Sequence, residues 1–248
     1  MQYGISHLSI IPVRSVADDT AEMVTQLLYG EHFKILEQRK LWSKIRSAFD
    51  NCEGWVHNDQ LTIIEDSLYN EQENIKTPNY TNDLVSFIES DKNNLMPIVL
   101  GSIFNTSFNH VHEGNLISNI QAKPSLIKTA LLYLNAPFLW GGKTPFGIDC
   151  SGFTQMVYKI NGHRILRTAS QQATQGDALS FIEEREAGDL AFFDNNEGVI
   201  DHVGIIMNNN YVIHAHGKVR IDRIDHTGIF NYESKTYTHK LRVIKKII

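Results

Sequence analysis

Cys150 stands where a glycine- and proline-broken stretch, residues 138 to 149, gives way to an apolar-periodic one. Phe153, Met156, Val157 and Ile160 fall at i, i+3, i+4 and i+7, and Asn161-Gly162 follows as a stop, so a helix is predicted with Asp149 as its N-cap and Cys150 in its first turn. Unpaired amides and the positive end of the helix dipole favour a thiolate there, and thiolate is the nucleophilic form. A lone cysteine is more often an inert buried side chain, so the reading needs a base nearby.

Histidines supply that base. The stretches 201 to 207 and 211 to 216 read as strands around Asn208-Asn209-Asn210. With a three-residue loop, Met207 faces Tyr211, Gly204 faces His214 and His202 faces His216, because antiparallel pairs keep a constant index sum. His202, His214 and His216 then share one face. A two-residue loop would put His202 and His214 on opposite faces, so the catalytic reading requires the odd loop. On a shared face, one imidazole takes the cysteine proton while another orients it. Register alone leaves His214 and His216 both open as the orienting group.

These residues need a scaffold, and composition permits an ordinary one. The chain has 248 residues, 42% hydrophobic and 21% charged, as in a soluble globular protein of one large or several small domains. A net charge of -5 offers no basic field, so neither nucleic acid nor a membrane is expected as a partner. With no basic-then-apolar N-terminus and no membrane-length apolar run, a cytoplasmic location is expected, or the cell envelope if an upstream signal was removed. Cys52 and Cys150 form neither a CxxC site nor a disulfide framework. His110, His112 and Glu113 lack a closed ligand set, and neither metal nor cofactor is expected.

The chain divides into three parts. Residues 1–65 hold short strands at 4 to 13, 22 to 28, 32 to 38, 41 to 47, and 54 to 56 followed by 61 to 64, with turns between them, predicting a small β-barrel; 23 to 28 could alternatively be helical. Residues 66–120 are weaker: a short helix over 81 to 90, strand ends near 96 to 104 and 114 to 117, and Pro97, which argues against a central strand. They make a second, degenerate barrel or a linker. Residues 121–248 open with a helix N-capped by Ser125 and hold the cysteine and histidines.

Family patterns sharpen this. Phe-Leu-Trp-Gly-Gly (138 to 142), Phe-Gly-Ile-Asp-Cys-Ser-Gly-Phe (146 to 153), the run 167 to 172, Ala-Gly-Asp-Leu-Ala-Phe-Phe (187 to 193), Asp-His-Val-Gly-Ile (201 to 205) and Val-Ile-His-Ala (212 to 215) resemble the NlpC/P60 family of papain-like cysteine peptidases. Pro12-Val13-Arg14, residues 22 to 30 and Gly54-Trp55-Val56 resemble bacterial SH3 domains. The resemblance implies an α+β chain with a papain-like catalytic domain behind SH3-like barrels. It implies Cys150 as nucleophile, His202 as base and, because similar enzymes carry a small polar residue at position 216, His214 as orienter.

The resemblance also implies a substrate. An SH3-like module before this domain is similar to γ-D-glutamyl-L-diamino-acid endopeptidases that act on murein peptides with a free N-terminal L-Ala. Asp149, Ser151 and Trp140 are then binding candidates, Asp149 being suited to an amino group. Glu22 is a candidate carboxylate from the barrel and Trp55 a candidate pocket wall. The family position at Phe138 is often tyrosine, whose hydroxyl this chain lacks. Two other readings are a hydrolase of intact peptidoglycan anchored by its SH3 module and an inactive muropeptide-binding protein. The sequence leaves the oligomeric state open.

Overall fold

The computed structural model describes residues 2–90, 94–104, 110–195 and 197–248. They fall into two compact units: residues 1–120 with 140–145 and 162–164, and residues 121–139, 146–161 and 165–248. Residues 120 and 121 lie in different units, and two short segments of the C-terminal half cluster with the N-terminal unit.

In the first unit, β1 (Gln2–Ile5), β2 (Ile10–Arg14), β3 (Met23–Leu28), β4 (His32–Gln38), β5 (Trp42–Ser47), β6 (Glu53–His57) and β7 (Thr62–Ile64) form one antiparallel sheet ordered β3-β2-β6-β5-β4-β1-β7. Alternating apolar positions feed its core of Ile11, Val13, Leu27, Phe33, Ile35, Ile45 and Val56. Residues 23 to 28 are strand, which settles the helical alternative.

A helix, α1 (Asp66–Asn74), then leads to six short strands: β8 (Asn79–Thr81), β9 (Val85–Glu89), β10 (Leu95–Val99), β11 (Ile103–Phe104), β12 (Val111–Glu113) and β13 (Leu116–Ile117). They make two three-stranded sheets, β10-β9-β12 and β11-β8-β13. The helix expected over 81 to 90 is replaced by β9, where Ser86 and Ile88 are buried and Val85 and Phe87 exposed, a period of two rather than 3.6. Pro97 lies in β10, an edge strand, where a missing N–H is tolerated. His110 bonds Tyr29 and His112 bonds Ser86, so the His110-His112-Glu113 run is engaged in packing. The short strand β14 (Lys143–Thr144) also belongs to this unit.

The second unit starts with α2 (Pro124–Leu132), whose N-cap is Lys123 rather than Ser125, because Pro124 takes the first helical position that suits its fixed φ. After α2 come β15 (Gly147–Ile148), α3 (Cys150–Ile160), α4 (Ala169–Gln172) and β16 (Asp177–Ala178), then β17 (Leu190–Asp194), β18 (Ile200–Met207), β19 (Tyr211–His216), β20 (Lys218–Ile224), β21 (Gly228–Asn231) and β22 (Thr236–Lys246). The strands from β16 onward form an antiparallel sheet ordered β16-β22-β17-β18-β19-β20-β21, with β22 also pairing β21. Ala191, Phe193, Ile206, Val212, Ile224, Ile229 and Ile244 cluster in its core. Every residue of α3 is buried, and α3 packs against β18, β19 and α2. Among the described residues, no helix is long and apolar enough to cross a membrane.

Candidate active site

Cys150 is the first residue of α3, as the periodicity predicts, and Asp149 caps it by accepting from the Gly152 amide at 2.6 Å. The Cys150 thiol donates to the Asp201 carbonyl at 3.8 Å, which sets it beside the strand that carries His202.

The β18–β19 ladder pairs Met207 with Tyr211 and Gly204 with His214 across the loop 208–210, the odd-length register on which the catalytic reading depends. Asn209 and Asn210 turn the chain with φ of 59° and 65°, a left-handed conformation that asparagine tolerates. Gly204 is required opposite His214: a Cβ there would lie 2.6 Å from Val212 Cγ2 and 3.0 Å from His214 Cβ.

His202 Nε2 and His214 Nδ1 are 2.8 Å apart, and His214 Nε2 is 3.0 Å from Asp222 Oδ2. The proton positions follow from these partners. Asp222 accepts from Arg220 through both oxygens, at 2.6 and 3.0 Å. Burial raises its pKa, but hydrogen bonds from His214 and Arg220 outweigh this and hold the carboxyl below its ordinary value. An ionised carboxylate only accepts, so His214 donates from Nε2 and, when neutral, accepts at Nδ1. His202 must then donate from Nε2, which leaves the lone pair on its Nδ1. The chain of donors runs His202 to His214 to Asp222.

Burial keeps both imidazoles neutral. It lowers His202 well below the usual histidine value, with His214, His239 and His216 adding repulsion, and it lowers His214 against the pull of Asp222. His216 is exposed, and its ring centroid is 6.5 Å from that of His202, against 5.0 Å for His214. Of the two orienting groups that register left open, only His214 is hydrogen-bonded to His202.

The thiol departs from expectation. Burial, followed by the Asp149 charge, pushes Cys150 up to about 12, and the Val203 and Ser151 amides and Arg167 only partly offset this. The helix start favours a thiolate, but desolvation outweighs it, so the resting state is a neutral thiol beside a neutral imidazole. A pKa raised this far means that thiolate is scarce throughout the neutral range. Iodoacetamide labelling of Cys150 in the free protein is therefore expected to accelerate steadily up to and beyond pH 9; a plateau below pH 7 would show a preformed thiolate.

The binding candidates fare unequally. Asp149 Oδ1 and Oδ2 accept from Arg167 Nη1 and Nη2 at 3.0 and 2.6 Å, and Ser151 Oγ accepts from Arg167 Nη1 at 3.0 Å. Arg167 is itself 2% exposed. The buried Arg167 guanidinium thus engages both expected binding residues, Asp149 and Ser151, at the start of α3. Trp55 is 7% exposed, with the Arg39 guanidinium 4.1 Å from its ring centroid. Trp140 and Glu22 are both exposed and joined, Trp140 Nε1 donating to Glu22 Oε1 at 2.6 Å in the first unit. Phe138 donates its backbone N–H to Gly217.

Three residues of this arrangement escaped the sequence reading. Asp222 and Arg220 lie on β20, where Arg220 pairs with His214 and Asp222 with Val212, so Asp222 is a diagonal neighbour of His214. Alternation along residues 218 to 222 could have placed them. His239 stacks on His202 with centroids 4.0 Å apart, and only the position of β22 brings it there.

A cysteine heading a buried helix, with paired imidazoles on an adjoining antiparallel sheet, is the layout of papain-like cysteine peptidases. Residues 135–241 match the NlpC/P60 family and residues 13–61 the bacterial dipeptidyl-peptidase SH3 domain. The gamma-D-glutamyl-L-lysine dipeptidyl-peptidase of Bacillus subtilis is 27% identical over 214 residues, covering 77% of this chain and 71% of that one. Dipeptidyl-peptidase 6 of Lysinibacillus sphaericus is 25% identical over 229 residues, 79% of this chain and 80% of the other. A crystal structure of an NlpC/P60 family protein from Bacillus cereus superposes with a TM-score of 0.82 at 18% identity over 99% of both chains, a likeness of fold. The chain therefore carries an NlpC/P60 cysteine-peptidase domain over residues 135–241, preceded by a bacterial SH3 domain over residues 13–61.

Proposed function

We propose that this peptidase hydrolyses the γ-D-glutamyl-L-diamino-acid bond of murein peptides that begin with a free L-Ala. The observation that carries the mechanism is the directed chain from His202 through His214 to Asp222, which leaves His202 Nδ1 as the available base. Cys150 Sγ attacks the amide carbon as its proton passes to His202; His214 and Asp222 hold the resulting imidazolium; His202 returns the proton to the leaving amine. Water then attacks the acyl-enzyme with His202 as base. The amides at the start of α3, which have no intrahelical partner, stabilise the oxyanion. The names of the relatives above support the bond assignment. Glu22 is proposed, within the first unit, as a carboxylate for a ligand amine, its Oε1 already accepting from Trp140.

Product analysis tests this with L-Ala-γ-D-Glu-L-Lys, its diaminopimelate counterpart, their N-acetylated forms and intact sacculi. Release of L-Ala-D-Glu from the free-amine peptides alone is expected. Cleavage of sacculi would instead make the protein a wall hydrolase, and no cleavage of any substrate would sink the bond assignment. Within the triad, His214→Ala is expected to lower kcat by about 10²–10⁴, the range for general acid–base assistance, whereas His216→Ala stays close to wild type. Equal losses would remove the distinction.

A further inference from the structure

Around the base, the second unit gathers more imidazoles than the peptidase chemistry uses. His202, His214 and His239 each offer a nitrogen, and these nitrogens all lie within 4.8 Å of one another. His216 closes the exposed side, its ring centroid 4.8 Å from that of His239. We propose that this cluster is a binding site for a divalent transition cation, Zn²⁺ by preference, and that the bound ion switches the peptidase off. As regulation of the same site, the switching rests on the peptidase mechanism above; the binding does not.

Ligand chemistry favours this class of ion. Neutral imidazoles are ligands for zinc, copper and nickel, whereas calcium and magnesium need oxygen. His214 is already arranged as zinc-binding histidines are, with its far nitrogen donating to a carboxylate that is itself anchored, here Asp222 under Arg220. That contact aims the Nδ1 lone pair of His214 into the cluster. His239 is held at Nδ1 by the Thr238 hydroxyl at 2.9 Å, leaving Nε2 as its ligand atom. Tetrahedral zinc at ~2.0–2.1 Å from each nitrogen spaces neighbouring ligands by about 3.3 Å. The 2.8 Å contact between His202 and His214 must therefore open slightly, and half-buried His239 must move inward. Three nitrogens leave a fourth position for water or for His216.

The switch follows from the tautomer. When His202 Nε2 binds the cation, its proton moves to Nδ1, the nitrogen to which the proposed mechanism passes the Cys150 proton. No proton is gained or lost; the base is simply occupied.

The test uses Cys150→Ser protein, so that this thiol cannot supply a ligand. Titration with Co²⁺ is expected to give the visible absorption of a tetrahedral nitrogen site at one equivalent, with Zn²⁺ displacing it. His239→Phe on that background should weaken Zn²⁺ binding at least tenfold; unchanged affinity would overturn the site. Because His239→Phe removes a stacked ring, ring ¹⁵N resonances of the Cys150→Ser protein provide an independent check. His202, His214 and His239 should shift together on adding Zn²⁺, and shifts confined to exposed histidines such as His226 would overturn it. With Cys150 intact, Zn²⁺ should inhibit peptide hydrolysis at least tenfold more weakly in His239→Phe than in wild type, with chelator restoring activity. Equal inhibition would place the ion on Cys150 and refute the switch. If no peptide is cleaved at all, the two binding measurements still decide the site.

Discussion

Cys150→Ala is expected to abolish murein-peptide hydrolysis, lowering kcat by on the order of 10⁵–10⁶, the cost of deleting a nucleophile that works as a unit with its base. The helix should survive, because Cys150 contributes little to what holds its start: Asp149 caps α3, and Arg167 anchors Asp149. His202→Ala should cost nearly as much, and the double variant little more than either single one, since each removes the same step. The other cysteine, Cys52, lies just ahead of β6 in the first unit. Measuring single-turnover release of L-Ala-D-Glu for the three variants checks the argument. Activity in Cys150→Ala within tenfold of wild type would move the nucleophile elsewhere.

Arg167→Met is expected to destabilise the catalytic unit by about 3–5 kcal/mol, the usual consequence of leaving one partner of a buried ion pair uncompensated. For a domain of this size that is a fall of roughly 10 °C in melting temperature. Asp149 is 7% exposed, and without Arg167 its charge faces the interior having lost the guanidinium that bonds both of its oxygens. Arg167→Lys should rescue poorly, because one ammonium cannot span both carboxylate oxygens and Ser151. Arg167→Met combined with Asp149→Asn should recover much of the loss, since it removes the stranded charge. A single Arg167→Met variant melting within a degree or two of wild type would show that the pair does not hold the start of α3.

The parts legible in the sequence were those set by short-range rules. The apolar spacing from Phe153 to Ile160 defines α3 and its cap because helix geometry repeats every 3.6 residues. The three asparagines at 208–210 bring His202 and His214 to one face because strand pairing has a period of two. Residues 81 to 90 failed because their weak pattern fitted two periods, and burial of Ser86 and Ile88 chose the strand. The Arg167 contacts to Asp149 and Ser151 were not legible because sequence does not show where a guanidinium 18 and 16 residues later will point.

Only the tertiary structure could decide the electrostatics and the long-range neighbours. A helix start argues for a thiolate at Cys150, yet how much water reaches the sulfur depends on what packs over it, and burial raises the thiol instead. His239 is 37 residues from His202 and reaches it because β22 returns between β16 and β17. Sheet order depends on which edges remain to be paired after the rest has folded. The local code therefore determined the helix that Cys150 heads and the histidine register, while the packed sheet decided how deeply the thiol is buried and which rings crowd His202.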